Sequence, residues 1–351
     1  MLVRRFRTLF VVATLSLLFQ GCSTNKPMEF SIQNDTLQEV WPQLPDLPRV
    51  KYLGELHGES FNAEKHAEKS WVELIVGFIT GKPKPIKLKR PYSVHVSLDN
   101  FVYVADVGLR GVFVFNLDDH SVQLWKNATD VMPFKAPVSI VSVKNEVWIS
   151  DVDLGQIFRF SKNGESLGSF GQGILKRPIG LAFDAELNQL YVADSTAHNI
   201  KVFNEQGQLV ETIGNHGEGD RQFNFPSNID YKHNKLYVSD TMNARVQIID
   251  RNTDNPDTTI IGHRGTKIGN TPRPKGISTD SDGNVYVIES YYGYLLVFNA
   301  KGEFLLPISG AGRVIGGFDL PVGVTVDHLD RIYIADTING RVLMFQYLGN
   351  D

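Results

Sequence analysis

Apolar residues in this chain fall in short blocks rather than long helical stripes. Six blocks share one form: an aromatic residue, a β-branched residue, a third apolar or small residue, and then an acid. They are Tyr103-Val104-Ala105-Asp106, Trp148-Ile149-Ser150-Asp151, Tyr191-Val192-Ala193-Asp194, Tyr237-Val238-Ser239-Asp240, Tyr286-Val287-Ile288-Glu289 and Tyr333-Ile334-Ala335-Asp336. Each reads as a strand that ends at a carboxylate. A proline (Pro91, Pro137, Pro178, Pro226, Pro274, Pro321) precedes each acid by 14 to 16 residues. An apolar residue (Phe115, Phe160, Phe203, Ile249, Phe298, Phe345) follows each acid at a constant nine. A fixed period of this kind marks a repeat architecture.

The rest of each repeat predicts three more strands. After the proline comes a small residue or asparagine (Ser93, Ser139, Gly180, Asn228, Gly276, Gly323) and then an aliphatic one (Val94, Ile140, Leu181, Ile229, Ile277, Val324), which suits a crowded inner strand. The aromatic–acid phrase is the second strand, and the run ending at the ninth-position residue is the third. Fourth strands are expected at 167–170, 209–213, 258–261 and 304–308. Four antiparallel strands per repeat predict an all-β, six-bladed β-propeller, which avoids sheet edges by radial closure. The sixth repeat leaves no room for a fourth strand, and residues 49–58 (RVKYLGELHG) resemble the fourth strands elsewhere. They are expected to complete the last blade. The one helical pattern is at 62–81, where Trp71, Leu74, Ile75, Phe78 and Ile79 form a stripe that predicts a helix on the rim before blade 1.

Several of these residues resemble NHL repeats: Pro178-Ile179-Gly180-Leu181-Ala182, Tyr191-Val192-Ala193-Asp194-Ser195, His198-Asn199-Ile200-Lys201-Val202-Phe203, and the glycine-rich run before Pro226. The likeness covers 89–349 and implies a six-bladed ring. Blades 1, 2 and 4 depart from it at Ser93, Ser139 and Asn228, and blade 5 has Glu289 for aspartate. The N-terminus is similar to that of a bacterial lipoprotein. Arg4, Arg5 and Arg7 precede an apolar stretch at 9–19, and Leu18-Phe19-Gln20-Gly21-Cys22-Ser23 resembles a lipobox, with Phe19 and Gln20 off pattern. The resemblance implies a signal peptide at 1–21, lipidation of Cys22, and a ring anchored in the cell envelope, at the outer membrane facing periplasm or surface. Residues 22–48, polar and with four prolines, read as a tether, and 49–351 as the propeller.

Composition narrows the chemistry. The net charge is −4, which gives no general pull towards nucleic acid. Cys22 is the one cysteine, so the folded part is expected to carry no disulfide or thiolate nucleophile. Six carboxylates at one repeat position (Asp106, Asp151, Asp194, Asp240, Glu289, Asp336) suggest a turn device more than an ion-binding ring, since every blade has one. The NHL family includes a zinc lyase with histidines directly after the blade prolines. Those positions here are Tyr92, Val138, Ile179, Ser227, Lys275 and Val322. The nine histidines share no metal-ligand motif and read as surface or turn residues. No metal or cofactor is expected, with a channel-bound calcium left as an open alternative.

The loops after the second strands and before the inner strands should share one face. Its candidate binding residues are Tyr92, Arg110, His198, Asn199, Ser227, Arg245, Lys275, Tyr291, Tyr292, Tyr294 and Arg341. Tyrosine and arginine suit binding hot spots, and Tyr291-Tyr292-Gly293-Tyr294 has no counterpart in the other blades. The expectation is a monomeric ring, anchored to a membrane, that binds a protein, peptide or glycan. The alternative is a hydrolase or lyase with its site in the channel, with or without a divalent cation.

Overall fold

The computed structural model describes residues 28–32, 39–59, 85–251, 257–308 and 317–349. The signal segment with Cys22 and the helical pattern at 62–81 lie outside them. Six antiparallel sheets form the ring, five built from one repeat each and the sixth from the last repeat with an N-terminal strand. In blade 1 the strands are Pro91–Val96, Phe101–Asp106, Gly111–Asn116 and Ser121–Trp125, paired in chain order. The same order recurs in blades 2 to 5 and in the first three strands of blade 6, and the first strands line the central channel. Burial falls outwards. The second strands are buried almost throughout, whereas the fourth strand of blade 3, Leu209–Ile213, is exposed except at its last residue.

The constant spacing of nine has a packing cause. Tyr103 pairs with Val114, next to Phe115, so the phrase aromatic and the ninth-position residue point to opposite faces of the blade. Each aromatic then packs into the seam with the following blade and meets that blade's ninth-position residue. Tyr103 shares a core with Phe160, Trp148 with Phe203, and Tyr191 with Ile249. Tyr237 meets Phe298, Tyr286 meets Phe345, and Tyr333 meets Phe115 across the closing seam. One insertion between phrase and ninth residue would turn one of them out of its seam. Each such side chain contributes about 1.5–3 kcal/mol by burial.

The small position after each proline is set by the neighbouring blade. A Cβ on Gly180 would stand 2.7 Å from the Ser227 carbonyl oxygen, and one on Gly276 would stand 2.6 Å from that of Val322. The departures serve the same seam differently. Ser139 Oγ accepts the Leu181 N–H at 3.1 Å, joining blade 2 to blade 3.

Val50–Leu56 lies antiparallel to Arg341–Tyr347 as the fourth strand of blade 6. Thr337 Oγ1 donates to the Pro91 carbonyl at 2.6 Å, a second link from blade 6 to blade 1. The segment expected as a free tether is partly built into the ring. Met28–Glu29 pairs with the outer strand of blade 1, and Val40–Trp41 pairs with Val50–Lys51. Phe30 is the reason for the first attachment: it is buried edge-on against Phe115, with ring centroids 5.0 Å apart. Polar composition around it hid that single anchor.

Candidate functional site

The six acids face loops. Asp106 accepts the N–H groups of Lys89 (2.6 Å), Arg90 and Leu109 (2.8 Å). Asp151 takes those of Lys135 and Ala136, and Asp194 those of Lys176 and Arg177. Asp240, Glu289 and Asp336 likewise take the N–H groups of Asn224, Arg273 and Asp319. Each acid thus fixes the loop that enters its own inner strand upstream, and Asp106, Asp151 and Glu289 also hold the turn that follows.

Several candidate binding residues are occupied by structural bonds. Arg245 bridges Asp240 at 2.9 Å and caps the Gly219 and Gln222 carbonyls. Arg341 is bound to Asp336, Glu55 and the Gly317 carbonyl. Ser227 is buried, and its hydroxyl meets that of Thr241 at 2.7 Å. Tyr294 packs against the core between blades 4 and 5. His198 Nδ1 accepts the Phe225 N–H, with its ring against His216 and Phe225. Asn199 closes the hairpin opposite Asp194, and Arg110 stands exposed at a positive φ of 53°. These four-strand repeats place polar residues at the turns for folding, so residue type alone could not separate them from a binding surface.

Tyr291 and Tyr292 do wall a groove. They stand edge to face, centroids 4.8 Å apart, beside Met242, Arg264, Pro272 and Arg273 in a depression of about 520 Å³. Tyr291 is 68% exposed, and the N–H groups of both tyrosines are held by Glu289. Nearer the axis, Tyr92 packs with Val138 and Ile179 of the next two blades, over the head of the channel. Burial, together with the nearby guanidiniums of Arg273 and Arg177, pushes the Lys275 ammonium down to about 8.

The channel below is a cavity of about 420 Å³, lined as far as Leu98, Ala185, Lys232 and His328 at the opposite hairpin turns. It contains groups the sequence reading passed over. His95, expected at the surface, lines it, and its Nε2 accepts the Ser142 N–H at 3.0 Å. Burial lowers its pKa to about 4, so the ring is neutral near pH 7. Asp230 accepts the Thr279 hydroxyl at 2.9 Å, and burial raises its carboxyl above the usual range. The one signal was a polar residue in inner strands that are otherwise mostly apolar. Among the described residues no group of three or more His, Cys, Asp or Glu could hold a metal ion.

Comparison with known proteins fits this geometry. The NHL repeat family model matches residues 175–203, within blade 3. The ring is a six-bladed propeller that carries an NHL repeat in its third blade. NHL repeat-containing protein 3 of Mus musculus is 27% identical over 176 residues, 45% of this chain and 50% of that protein. Protein brain tumor of Drosophila melanogaster is 26% identical over 145 residues, 39% of this chain and 13% of its own length. The chain therefore spans half or less of these relatives. Among solved structures, a streptogramin B lyase aligns with TM-score 0.55 and 13% identity, covering 75% of this chain and 95% of that one. An auxiliary nutrient binding protein from Bacteroides thetaiotaomicron aligns with TM-score 0.57 and 12% identity, covering 75% and 70%. At such identities the likeness is one of fold.

Proposed function

We propose that this NHL-repeat propeller is a binding scaffold, exported and held at the cell envelope through lipidated Cys22, that takes a protein, peptide or glycan on its loop face. The groove beside Tyr291 and Tyr292 carries the reading. It combines exposed aromatic surface with two guanidiniums, and it belongs to the blade whose loop departs most from the repeat. Nutrient-binding proteins among the structural neighbours support a ligand-binding role for the fold. The test is capture of envelope partners by the full chain and by a Tyr291→Ala/Tyr292→Ala variant. The variant is expected to melt like the parent and lose its partner. Unchanged capture would move the site elsewhere.

A second reading rests on the channel, where neutral His95 and buried Asp230 line one cavity. A hydrolase or lyase could use such a pair for proton transfer, with or without a divalent cation. Turnover by the parent that is abolished in His95→Gln would favour it.

A further inference from the structure

Seven cations lie within two residues of the prolines of blades 1, 2, 3 and 5: Lys89, Arg90, Lys135, Lys176, Arg177, Arg273 and Lys275. Because the inner strands line the channel, these cations gather at the mouth where those strands begin, in a chain whose net charge is negative. Three of them converge. The guanidiniums of Arg177 in blade 3 and Arg273 in blade 5 both act electrostatically on Lys275 and on Tyr92 of blade 1. Tyr92 itself lies over the axis, against Val138 and Ile179. The backbones that carry the two arginines are fixed, because the Arg177 N–H is held by Asp194 at 2.7 Å and the Arg273 N–H by Glu289 at 3.1 Å.

Nothing among the described residues neutralises this group. Arg159, Arg245, Arg251, Arg331 and Arg341 each pair with a carboxylate. No hydrogen bond or ion pair from a described residue takes the side chains of Arg177, Arg273 or Lys275. Glu289 lies in the field of Arg273, but its oxygens accept three backbone N–H groups. Like charges brought together in a partly desolvated place repel, and the lowered Lys275 value is a symptom of that cost. Arg177 and Arg273 are exposed, and with half-buried Lys275 they present three cations without a described carboxylate partner to a ligand that arrives from outside.

We propose that this axial mouth binds a multivalent oxyanion, the carboxylate or phosphate groups of a small ligand, between Arg177, Arg273 and Lys275, with the Tyr92 hydroxyl as a further donor. Guanidiniums offer paired N–H donors that match both oxyanions, and the ammonium adds a point charge. The inference rests on the binding-scaffold reading for its choice of face, but not on the tyrosine groove.

The test is calorimetric titration of the full chain with inorganic pyrophosphate and with citrate at low ionic strength, where such contacts are least screened. One saturable site is expected. Lys275→Gln and Arg177→Gln should each weaken it about tenfold or more, the usual scale for a charged hydrogen bond. Arg177→Lys, which keeps the charge and loses the fork, should fall between. Lys301→Gln, an equal charge change on an exposed hairpin, should bind like the parent, and thermal melts should show all variants folded. Tighter pyrophosphate assigns a phosphate ligand and tighter citrate a carboxylate, and either supports the site. No saturable binding of either probe, or an equal loss in Lys301→Gln, overturns it. Partner capture that depends on Tyr291 and Tyr292 without anion binding would sink this site and leave the scaffold standing.

Discussion

Arg341 Nη1 lies 2.6 Å from Glu55 Oε2, joining residues 286 positions apart and fixing the closing strand to the last blade. The same guanidinium donates through Nε to Asp336 at 2.9 Å and through Nη2 to the Gly317 carbonyl at 2.7 Å. Replacing Arg341 with methionine would leave Asp336, whose side chain is fully buried, without this partner. Losing one partner of a buried pair costs about 3–5 kcal/mol. Chemical denaturation of Arg341→Met should show a loss of that order, and a loss under about 1 kcal/mol would mean the network is dispensable.

Glu55 also predicts a pH dependence. Burial by itself would raise its carboxyl, but the hydrogen bond to His57 and the Arg341 charge outweigh burial and hold it below the ordinary glutamate value. A depressed acid contributes stability above its unfolded pKa of about 4.3 and loses it as pH falls through the folded value. Glu55→Gln should therefore be less stable than the parent at neutral pH. The gap between the two stability curves should narrow as the pH falls below the ordinary glutamate range, and a gap that stays constant through acid pH would refute the assignment.

Deleting residues 49–58 removes the outer strand of blade 6 and the partner of Arg341 together. Blade 6 would then present the open edge of Arg341–Tyr347. The deletion variant is expected to lose the single cooperative transition in calorimetry. An unchanged transition would show that closure resides elsewhere.

Gly180→Ala tests the inner seams. The added methyl would meet the Ser227 oxygen and the Asn228 Cα at 2.7 and 2.9 Å, both backbone atoms that cannot swing aside. Overpacking of this kind costs about 1–3 kcal/mol. Ser139→Ala, at the matching position of blade 2, removes only the bond to the Leu181 N–H and should cost about 1 kcal/mol. Equal losses in the two variants would mean that the seams are not differently spaced.

The ring was legible in the sequence because its determinants are local and repeated. The phrase aromatic and the ninth-position residue recur at a fixed distance, and their seams follow from strand alternation. The attachment of Phe30 to blade 1 was not legible, since one aromatic in a polar stretch carries no period. The site was harder for a related reason. Arg245 and Arg341 looked like surface arginines of blades 4 and 6, yet only three-dimensional proximity shows that Asp240, Asp336 and Glu55 take them. His95 and Asp230 hold inner-strand positions, and the sequence does not say which end of the channel is open. Tyr291 and Tyr292 stood out because they break the repeat, and in the structure both wall one groove, with Tyr291 exposed.

Lys275 makes the axial mouth sensitive to pH in a defined direction. Its ammonium, pushed down to about 8 by burial and by Arg273 and Arg177, loses its proton well below the ordinary lysine value. The other groups facing it are Arg177, Arg273 and Tyr92, and burial raises the Tyr92 hydroxyl above its ordinary value. Glu289, raised by burial, reaches the site only through Arg273. Pyrophosphate or citrate should thus bind best below about pH 8 and weaken as the pH rises above it, because one of three cations is lost. Lys275→Gln should bind weakly throughout and show no such step, whereas Lys301→Gln should keep it. A step that persists in Lys275→Gln would assign the titration to another group and remove Lys275 from the site.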